Sequence, residues 1–298
     1  MAQFLKQFIL FIALIATVLC GLELPIQLNY ETRISNHSDW HSLENINAEI
    51  LVIGNSRVWT GFDASKIQEV TGKSTYILAQ DGWQIDLLRA KFRHYLKSNS
   101  KPQILIIQAD QAFLGKRHDW YGKSDFLKYI FMDREDLMSQ MRKYDGYIWY
   151  EVWIPFVRYA GVPGRYVRDA FALPFLVDRV QGFRARPATN KPLETIPFDS
   201  LTIKEEFVQE LDMIFSQSPE SERIIVFPLV SSSLYPTIKG EQHIREYSDA
   251  RGIDYLNLNT SYPNPPDSIF DNHTHVNIYG ANVQTLQLIE LLNALQLP

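Results

Sequence analysis

Cysteine is nearly absent from this sequence, since Cys20 is the single cysteine in a chain of 298 residues. The chain after it therefore has no disulfide, no thiol nucleophile and no cysteine metal site. Both extracytoplasmic and cytosolic domains can have this composition, so the scarcity of cysteine does not indicate a compartment.

An excess of positive charge is also missing. Lys and Arg number 29 against 34 Asp and Glu, which gives a net charge of −5, and no basic stripe is interleaved with aromatic residues. These features argue against a nucleic-acid-binding protein, and no nucleic-acid partner is expected. Hydrophobic residues make up 46% and charged residues 21% of the chain, as in a globular protein.

One long uncharged apolar segment is present, at residues 7–22, with Lys6 just before it. A spanning helix needs about 20 apolar residues, and Lys6 can extend its side chain toward the interface. Residues 1–25 are therefore predicted to be a membrane anchor, followed by a polar tether at 26–47. The remainder is predicted to lie outside the cytoplasm, in the periplasm or at the cell surface. A cleaved signal peptide, which would give a secreted protein, is the alternative.

Five short apolar segments, rich in β-branched residues, alternate with segments of helical periodicity. This alternation predicts an α/β domain at residues 48–298 with a parallel five-stranded sheet and right-handed crossovers. The strands are predicted at residues 50–53, 75–79, 103–108, 223–227 and 253–258.

Residues 111–200 interrupt this pattern and are rich in aromatic and basic residues. Structureless connections of this length are uncommon, so the segment is predicted to be an insertion with its own structure. It could form a lid or a platform for glycans, its aromatic residues could form a small core of their own, or residues 149–159 could lie against a membrane.

Two polar loops follow the first and fifth predicted strands. Ser56 comes directly after the first strand, and His275 lies in the loop before the last helical segment. The carboxyl ends of parallel strands meet at one edge of a sheet, so these side chains can meet although they are far apart in sequence. A serine hydroxyl becomes an effective nucleophile when a base within hydrogen-bond reach accepts its proton.

These motifs resemble those of the SGNH (GDSL-type) hydrolase superfamily. The resemblance rests on Gly54-x-Ser56, on Gly82 after the second strand, and on His275-Val-Asn-x-x-Gly-Ala before the last helix; it covers residues 50–108 and 224–295. Within the superfamily the chain looks most like membrane-tethered envelope members, such as polysaccharide O-acetyltransferases and D-alanylation proteins. The resemblance implies a flavodoxin-like three-layer sandwich with strand order 2-1-3-4-5, Ser56 as nucleophile and His275 as base.

The third catalytic residue departs from the family pattern. That pattern, Asp-x-x-His, would place an acid at position 272, which holds Asn272. Asp271 lies one residue earlier and is the predicted acid if the loop bulges. Asn272 is the alternative for orienting the imidazole, and His273 is a second candidate base.

The predicted oxyanion hole combines the backbone N–H groups of Ser56 and Gly82 with the side chain of Gln108. The family uses an asparagine in a Gly-x-Asn-Asp motif for the third donor; this chain lacks that motif, and Gln108 and Asp110 occupy the neighbourhood. Arg57 is predicted to bind an anionic substrate group, with a salt bridge at the helix start as the alternative.

The sequence therefore predicts a serine-dependent ester hydrolase or O-acyltransferase that uses no cofactor. Its expected partners are an ester-bearing envelope glycan, the membrane and a membrane acyl-donor protein. Two other classes stay open: a non-catalytic envelope scaffold or glycan-binding protein, and a metal-dependent phosphoesterase. The latter would use Asp271, His273 and His275 with Asp81 or Asp110.

Overall fold

The computed structural model describes residues 1–33, 43–110, 139–140, 142, 147–150, 154, 156–157, 167, 170–171, 179–188, 193, 205–235 and 240–295. The chain divides into two compact units. One comprises Met1–Ser42 and Asp119–Asp178, and the other comprises Leu43–His118 and Arg179–Pro298. Most of the predicted insertion at 111–200 lies outside the described residues.

The first unit begins with helix α1, Ala2–Arg33. Its stretch Ala2–Ile26 is long and apolar enough to cross a membrane, and a signal sequence near the N-terminus has the same properties. Near the end of this apolar stretch, the Glu23 carboxylate accepts a hydrogen bond from the backbone N–H of Phe156 at 2.5 Å. Ile26 is buried with Ala170. The structure thus confirms the predicted N-terminal apolar helix.

The second unit contains a five-stranded parallel sheet, as the sequence predicts. The strand order is β2-β1-β3-β4-β5. The strands are β1 Ile50–Gly54, β2 Thr75–Ala79, β3 Ile104–Gln108, β4 Glu222–Phe227 and β5 Asp254–Asn257. The helices are α2 Ser56–Trp59, α3 Ala64–Thr71, α4 Ile85–Tyr95, α5 Glu205–Phe215, α6 Glu241–Arg251, α7 Leu258–Ser261 and α8 Ile278–Ala294.

Helices cover both faces of the sheet, so the predicted three-layer α/β sandwich is confirmed. Helices α3 and α8 pack together on one side, and α4 and α5 pack together on the other. All five residues of β1, of β2 and of β3 are buried, which explains why these strands are continuously apolar instead of alternating.

Local sequence signals set the ends of the helices that flank the site. The Asp63 side chain caps α3 by accepting the Lys66 N–H at 3.2 Å, and Gly72 ends that helix with a φ of 72°. Asn277 caps α8 by accepting the N–H groups of Tyr279 and Gly280. These caps are the types expected for helix starts and for a left-handed helix end.

An antiparallel hairpin precedes α8. It consists of β6 Phe270–Asn272 and β7 His275–Val276, and it pairs Asn272 with His275. A short 3₁₀ helix, Asp267–Ile269, leads into it. The hairpin brings the last polar loop to the carboxyl edge of the sheet.

A segment at residues 179–188, here named the strap, runs from the outer strand β2 to the start of α8. Its Gln181 carbonyl accepts the N–H of Ile77 at 2.9 Å, so the strap begins beside β2. Its Arg184 N–H donates to the Trp59 carbonyl at 3.0 Å, and its Arg186 carbonyl accepts the Ile278 N–H at 2.9 Å. The strap therefore connects the edge of the sheet, the end of α2 and the start of α8.

We expect Gly54→Ala to destabilise the second unit, because there is no room for a Cβ atom at this position. A Cβ there would lie 2.2 Å from Val58 Cγ2 and 2.5 Å from Gln108 Oε1. Overpacking of this kind typically costs about 1–3 kcal/mol. Urea unfolding of the full chain, followed by circular dichroism, measures the loss. Gly21→Ala is the control, since nothing lies within 4 Å of its Cβ position, and equal stability of both variants would contradict the packing argument.

Candidate active site

Ser56 is the first residue of α2 and follows β1 after a single residue. That residue, Asn55, caps α2 with its side chain, which accepts the Arg57 N–H at 3.1 Å. Its backbone N–H donates to Gln108 Oε1 at 2.8 Å. These bonds fix the turn, and they place the partly exposed Ser56 hydroxyl at the carboxyl edge of the sheet.

His275 meets Ser56 at this edge. Its Nε2 lies 2.8 Å from Ser56 Oγ, although the two residues are 219 positions apart in the sequence. The hairpin register places His275 opposite Asn272. The pairing of serine and imidazole that sequence spacing predicts is therefore present in the structure.

Asn272 determines which nitrogen of His275 carries the proton. Its Oδ1 accepts the backbone N–H groups of Thr274 and His275, both at 3.0 Å, so the atom at this position is the amide oxygen. The same oxygen lies 3.1 Å from His275 Nδ1. A proton on Nδ1 satisfies this oxygen, which can only accept, and it leaves Nε2 able to accept the Ser56 proton. The Thr274 hydroxyl, 3.0 Å from both atoms, completes this contact.

The pKa of His275 is lowered from its ordinary value of 6.5 to about 3. Burial is the largest cause because it disfavours the charged imidazolium, and the positive charges of Arg186 and Arg57 act in the same direction. The imidazole is therefore neutral at neutral pH, as a general base requires. Since the folded pKa lies below the unfolded one, this group stabilises the fold above pH 6.5, and that contribution is lost as the pH falls toward about 3.

Asp271 and His273 have partners other than the Ser56–His275 pair. The Asp271 carboxylate accepts a hydrogen bond from Arg186 Nη1 at 2.6 Å. The His273 ring is buried, with Nδ1 2.8 Å from Ser231 Oγ. This placement does not fit Asp271 as the acid of the triad, because the hairpin register puts Asn272 against the imidazole. It also does not fit His273 as the base.

Gln108 points into the domain. Its side chain is fully buried; Oε1 accepts the Asn55 N–H, and Nε2 donates to Asp110 Oδ2 at 2.5 Å. This position does not fit the predicted oxyanion donor, because the amide is already bonded to Asn55 and Asp110 inside the domain. Gly82 lies in the loop after β2 with a φ of 67°, a conformation that favours glycine.

Arg57 is also buried, with 2% of its side chain exposed. Its guanidinium forms an ion pair with Asp110 and donates to the carbonyls of Pro228 and Leu229 at 3.2 and 3.1 Å. Burial lowers the pKa of Arg57, and the Asp110 charge acts in the opposite direction. This location does not fit the predicted substrate-binding role, and it matches the alternative of a salt bridge at the helix start.

The side chains of the predicted metal site point to different partners: Asp271 to Arg186, His273 to Ser231 and His275 to Ser56. Within the described parts of the chain, no group of three or more His, Cys, Asp or Glu side chains is arranged to hold a metal ion.

The structure places two residues, Thr274 and Arg186, near the Ser56–His275 pair that the sequence analysis did not assign to the site. Thr274 was recognisable only as a residue between two histidines, and its hydroxyl contacts the imidazole. Arg186 lies in a segment without helix or strand periodicity, so no pattern placed it near the site. The signal for Asn272 was available, since its spacing from His275 is that of the family acid.

Comparisons with known proteins give similarity at low identity. No family model matches the chain, and no curated protein matches it. The chain is similar to a solved member of the lipolytic G-D-S-L family from Veillonella parvula, with 9% identity, a TM-score of 0.39, and coverage of 82% of this chain and 97% of that one. It is also similar to an acetyl xylan esterase from Butyrivibrio proteoclasticus, with 13% identity, a TM-score of 0.38, and coverage of 84% and 64%.

We expect Arg57→Met to destabilise the domain strongly, because it leaves the Asp110 carboxylate buried without its counter-charge. Removing one partner of a buried pair typically costs about 3–5 kcal/mol. Arg251→Met is the matched control, because its pair with Asp212 is 41% and 45% exposed, and pairs of this kind contribute about 1 kcal/mol or less. Urea unfolding of both full-length variants makes the comparison. Similar losses in the two would show that the Arg57 pair has no special structural role.

Proposed function

We propose that the protein carries out serine-dependent ester chemistry. The observation that supports this proposal is the 2.8 Å contact between Ser56 Oγ and a His275 Nε2 that is free to accept a proton. Oγ attacks the carbonyl carbon of an acyl ester while Nε2 takes its proton. The bond to the leaving alcohol then breaks, His275 returns the proton to that alcohol, and the acyl group stays on Ser56. A second nucleophile then attacks the acyl carbon while Nε2 takes its proton; the bond between the acyl carbon and Oγ breaks, and His275 returns the proton to Oγ.

Asn272 serves as a positioning residue in this scheme. It holds His275 in the required tautomer but, as a neutral amide, offers no charge to stabilise the imidazolium. In a serine protease, replacing the triad aspartate by asparagine lowers kcat by about 10⁴ because the histidine takes the wrong tautomer. Here the backbone donors fix the amide oxygen toward Nδ1, so the tautomer is correct and the missing contribution is the negative charge.

The backbone N–H groups of Ser56 and Gly82 are the proposed donors to the developing oxyanion. Ser56 opens α2, and the first N–H groups of a helix have no acceptor within the helix. Gly82 follows β2, the strand beside β1, and its loop reaches the same edge. Donors aimed at the oxyanion are typically a large part of the catalysis of acyl transfer.

The identity of the second nucleophile separates two activities. Water gives an esterase, and a sugar hydroxyl gives an O-acyltransferase. The apolar helix at Ala2–Ile26 supports a membrane-anchored protein with its catalytic domain outside the cytoplasm. Together with the motif resemblance to envelope members, this supports an acylated envelope polysaccharide as substrate and a membrane protein as acyl donor.

A non-catalytic envelope scaffold or glycan-binding protein is the second candidate. Two observations favour it: an amide occupies the position of the triad acid, and Gln108 is bonded inside the domain rather than directed at an oxyanion. A metal-dependent phosphoesterase has less support, since its proposed ligands have separate partners.

We expect the full chain, purified in neutral detergent, to hydrolyse 4-nitrophenyl acetate. Ser56→Ala and His275→Ala should each lower kcat/KM by about 10²–10⁴, because they remove the nucleophile and its base. His273→Asn is the control: it keeps a hydrogen-bonding group near Ser231 and should retain most of the activity. Unchanged hydrolysis in Ser56→Ala would refute the serine mechanism, and a loss only in His273→Asn would assign the base to the other histidine.

Asn272→Asp tests the positioning role. A carboxylate beside Nδ1 stabilises the imidazolium, so the pKa of His275 should rise from about 3. The acid limb of the pH profile of kcat/KM should move to higher pH, and kcat at pH 8 should increase by about tenfold or more. Asn282→Asp adds the same charge at an exposed position on α8 and should change neither quantity. An unmoved acid limb in Asn272→Asp would show that this residue does not orient the base.

A further inference from the structure

The strap, which runs from β2 to the start of α8, carries two arginines. Arg179 lies over the Trp59 ring, with its guanidinium carbon 4.0 Å from the ring centre, and its Nη2 is 4.0 Å from an Asp81 carboxylate oxygen. Arg186 lies at the other end, where its backbone carbonyl is bonded to Ile278 at the start of α8. Backbone hydrogen bonds to Ile77, Trp59 and Ile278 hold the strap in this position.

Arg186 reaches the hairpin that carries the base. Its Nη1 donates to Asp271, the residue that precedes Asn272. The side chain is 30% exposed, and within the described part of the chain its other nitrogen atoms have no hydrogen-bond partner. A guanidinium carries five N–H donors in a planar fork, so one bond to Asp271 leaves donors available for a second acceptor.

Electrostatics supports this position near the reacting groups. The positive charge of Arg186 is one of the causes that lower the pKa of His275. Arg57 contributes to the same effect, but it is buried and bonded to Asp110 and to two carbonyls, so it is not accessible to a ligand. Of these two arginines, Arg186 is therefore the one that solvent and a substrate can reach. Ile278, whose N–H is bonded to the Arg186 carbonyl, and Tyr279 have side chains that are 52% and 63% exposed.

We propose that Arg186 binds an anionic oxygen group, a carboxylate or a phosphate, on the substrate of this site, with Asp271 holding the guanidinium in place. The proposal rests on the proposed function. It assigns to Arg186 the charge recognition that the sequence had suggested for Arg57. An ester whose alcohol carries such a group is positioned with its acyl carbon toward Ser56, because the guanidinium fork fixes the anion beside His275. Neutral esters lack this contact and bind less tightly.

Three chromogenic acetates that share an ortho-nitrophenol leaving group provide the test. They are 2-nitrophenyl acetate, which is neutral, 3-acetoxy-4-nitrobenzoate, which carries a carboxylate, and 3-acetoxy-4-nitrophenyl phosphate. The measured quantity is the ratio of kcat/KM for each anionic ester to that for the neutral ester, with the full chain at low ionic strength. Whichever anionic ester has the larger ratio identifies the preferred group.

The wild-type ratio should exceed one and should fall about tenfold in Arg186→Gln, the size expected for losing a charge-assisted hydrogen bond. Asp271→Asn should raise the ratio about threefold, because the amide oxygen can still accept the Arg186 hydrogen bond while the negative charge that repels an anionic substrate is removed. If Asp271 were instead the triad acid, Asp271→Asn would slow all three esters equally. Arg251→Gln, which removes an exposed charge from α6, should leave the ratio unchanged.

A wild-type ratio near one would overturn the proposal. An equal loss of kcat/KM on all three esters in Arg186→Gln would also overturn it, since a purely structural role for Arg186 predicts that result. If the wild type hydrolyses none of the esters, the esterase form of the proposed function fails by itself. Calorimetric titration of Ser56→Ala with the same esters then decides the inference. The inference is supported if Ser56→Ala binds an anionic ester more tightly than the neutral ester and if this preference is lost in Ser56→Ala/Arg186→Gln. Equal binding of all three esters overturns it.

Discussion

A buried ion pair between Arg57 and Asp110 holds together the ends of three neighbouring strands. Arg57 follows β1, Asp110 follows β3, and the carbonyls of Pro228 and Leu229, which the guanidinium also binds, follow β4. Taking two charges out of water is costly unless their remaining hydrogen-bonding capacity is used, and here the carbonyls and Gln108 use part of it. Because Arg57 is the residue after Ser56, these buried contacts hold the serine turn in place from the interior of the domain.

In a serine triad, an aspartate usually both orients the imidazole and compensates its positive charge; next to His275 these two contributions are separated. Orientation comes from Asn272, whose oxygen is fixed by two backbone N–H groups. Among the residues that the structure describes, no carboxylate contacts the imidazole to compensate a developing positive charge, and the charge of Arg186 disfavours the imidazolium. In the proposed mechanism, His275 is an oriented but weak base, so catalysis would depend more heavily on the oxyanion donors and on substrate positioning.

The sequence was sufficient for the framework of the fold. Continuous apolar strands separated by amphipathic helices required a parallel sheet covered on both faces, and the caps at Asp63 and Gly72 were readable from residue type alone. The family resemblance supplied the strand order, and the structure has that order. Ser56 and His275 were found because parallel topology brings the loops after different strands to one edge.

The direction of individual side chains could not be derived in the same way. Gln108 and Arg57 occupy positions beside the site in sequence, but both side chains turn inward and bind Asp110, which follows β3. The choice between Asp271 and Asn272 depended on the hairpin, where the register shifts between Phe270 and Asn272 and the pairing still places Asn272, not Asp271, opposite His275. Arg186 belongs to a segment without periodicity, and its proximity to the base arises from tertiary hydrogen bonds that no local pattern encodes.

The close packing around Gly54 bears on what the Gly-x-Ser motif means as a marker. Gly54 is required by Val58 and by the Gln108 side chain, neither of which takes part in the proposed chemistry. A descendant of this protein that had lost its nucleophile would still need glycine at that position to keep its fold. Glycine at position 54 is therefore a marker of the fold, whereas the proposed chemistry depends on the identities of residues 56 and 275.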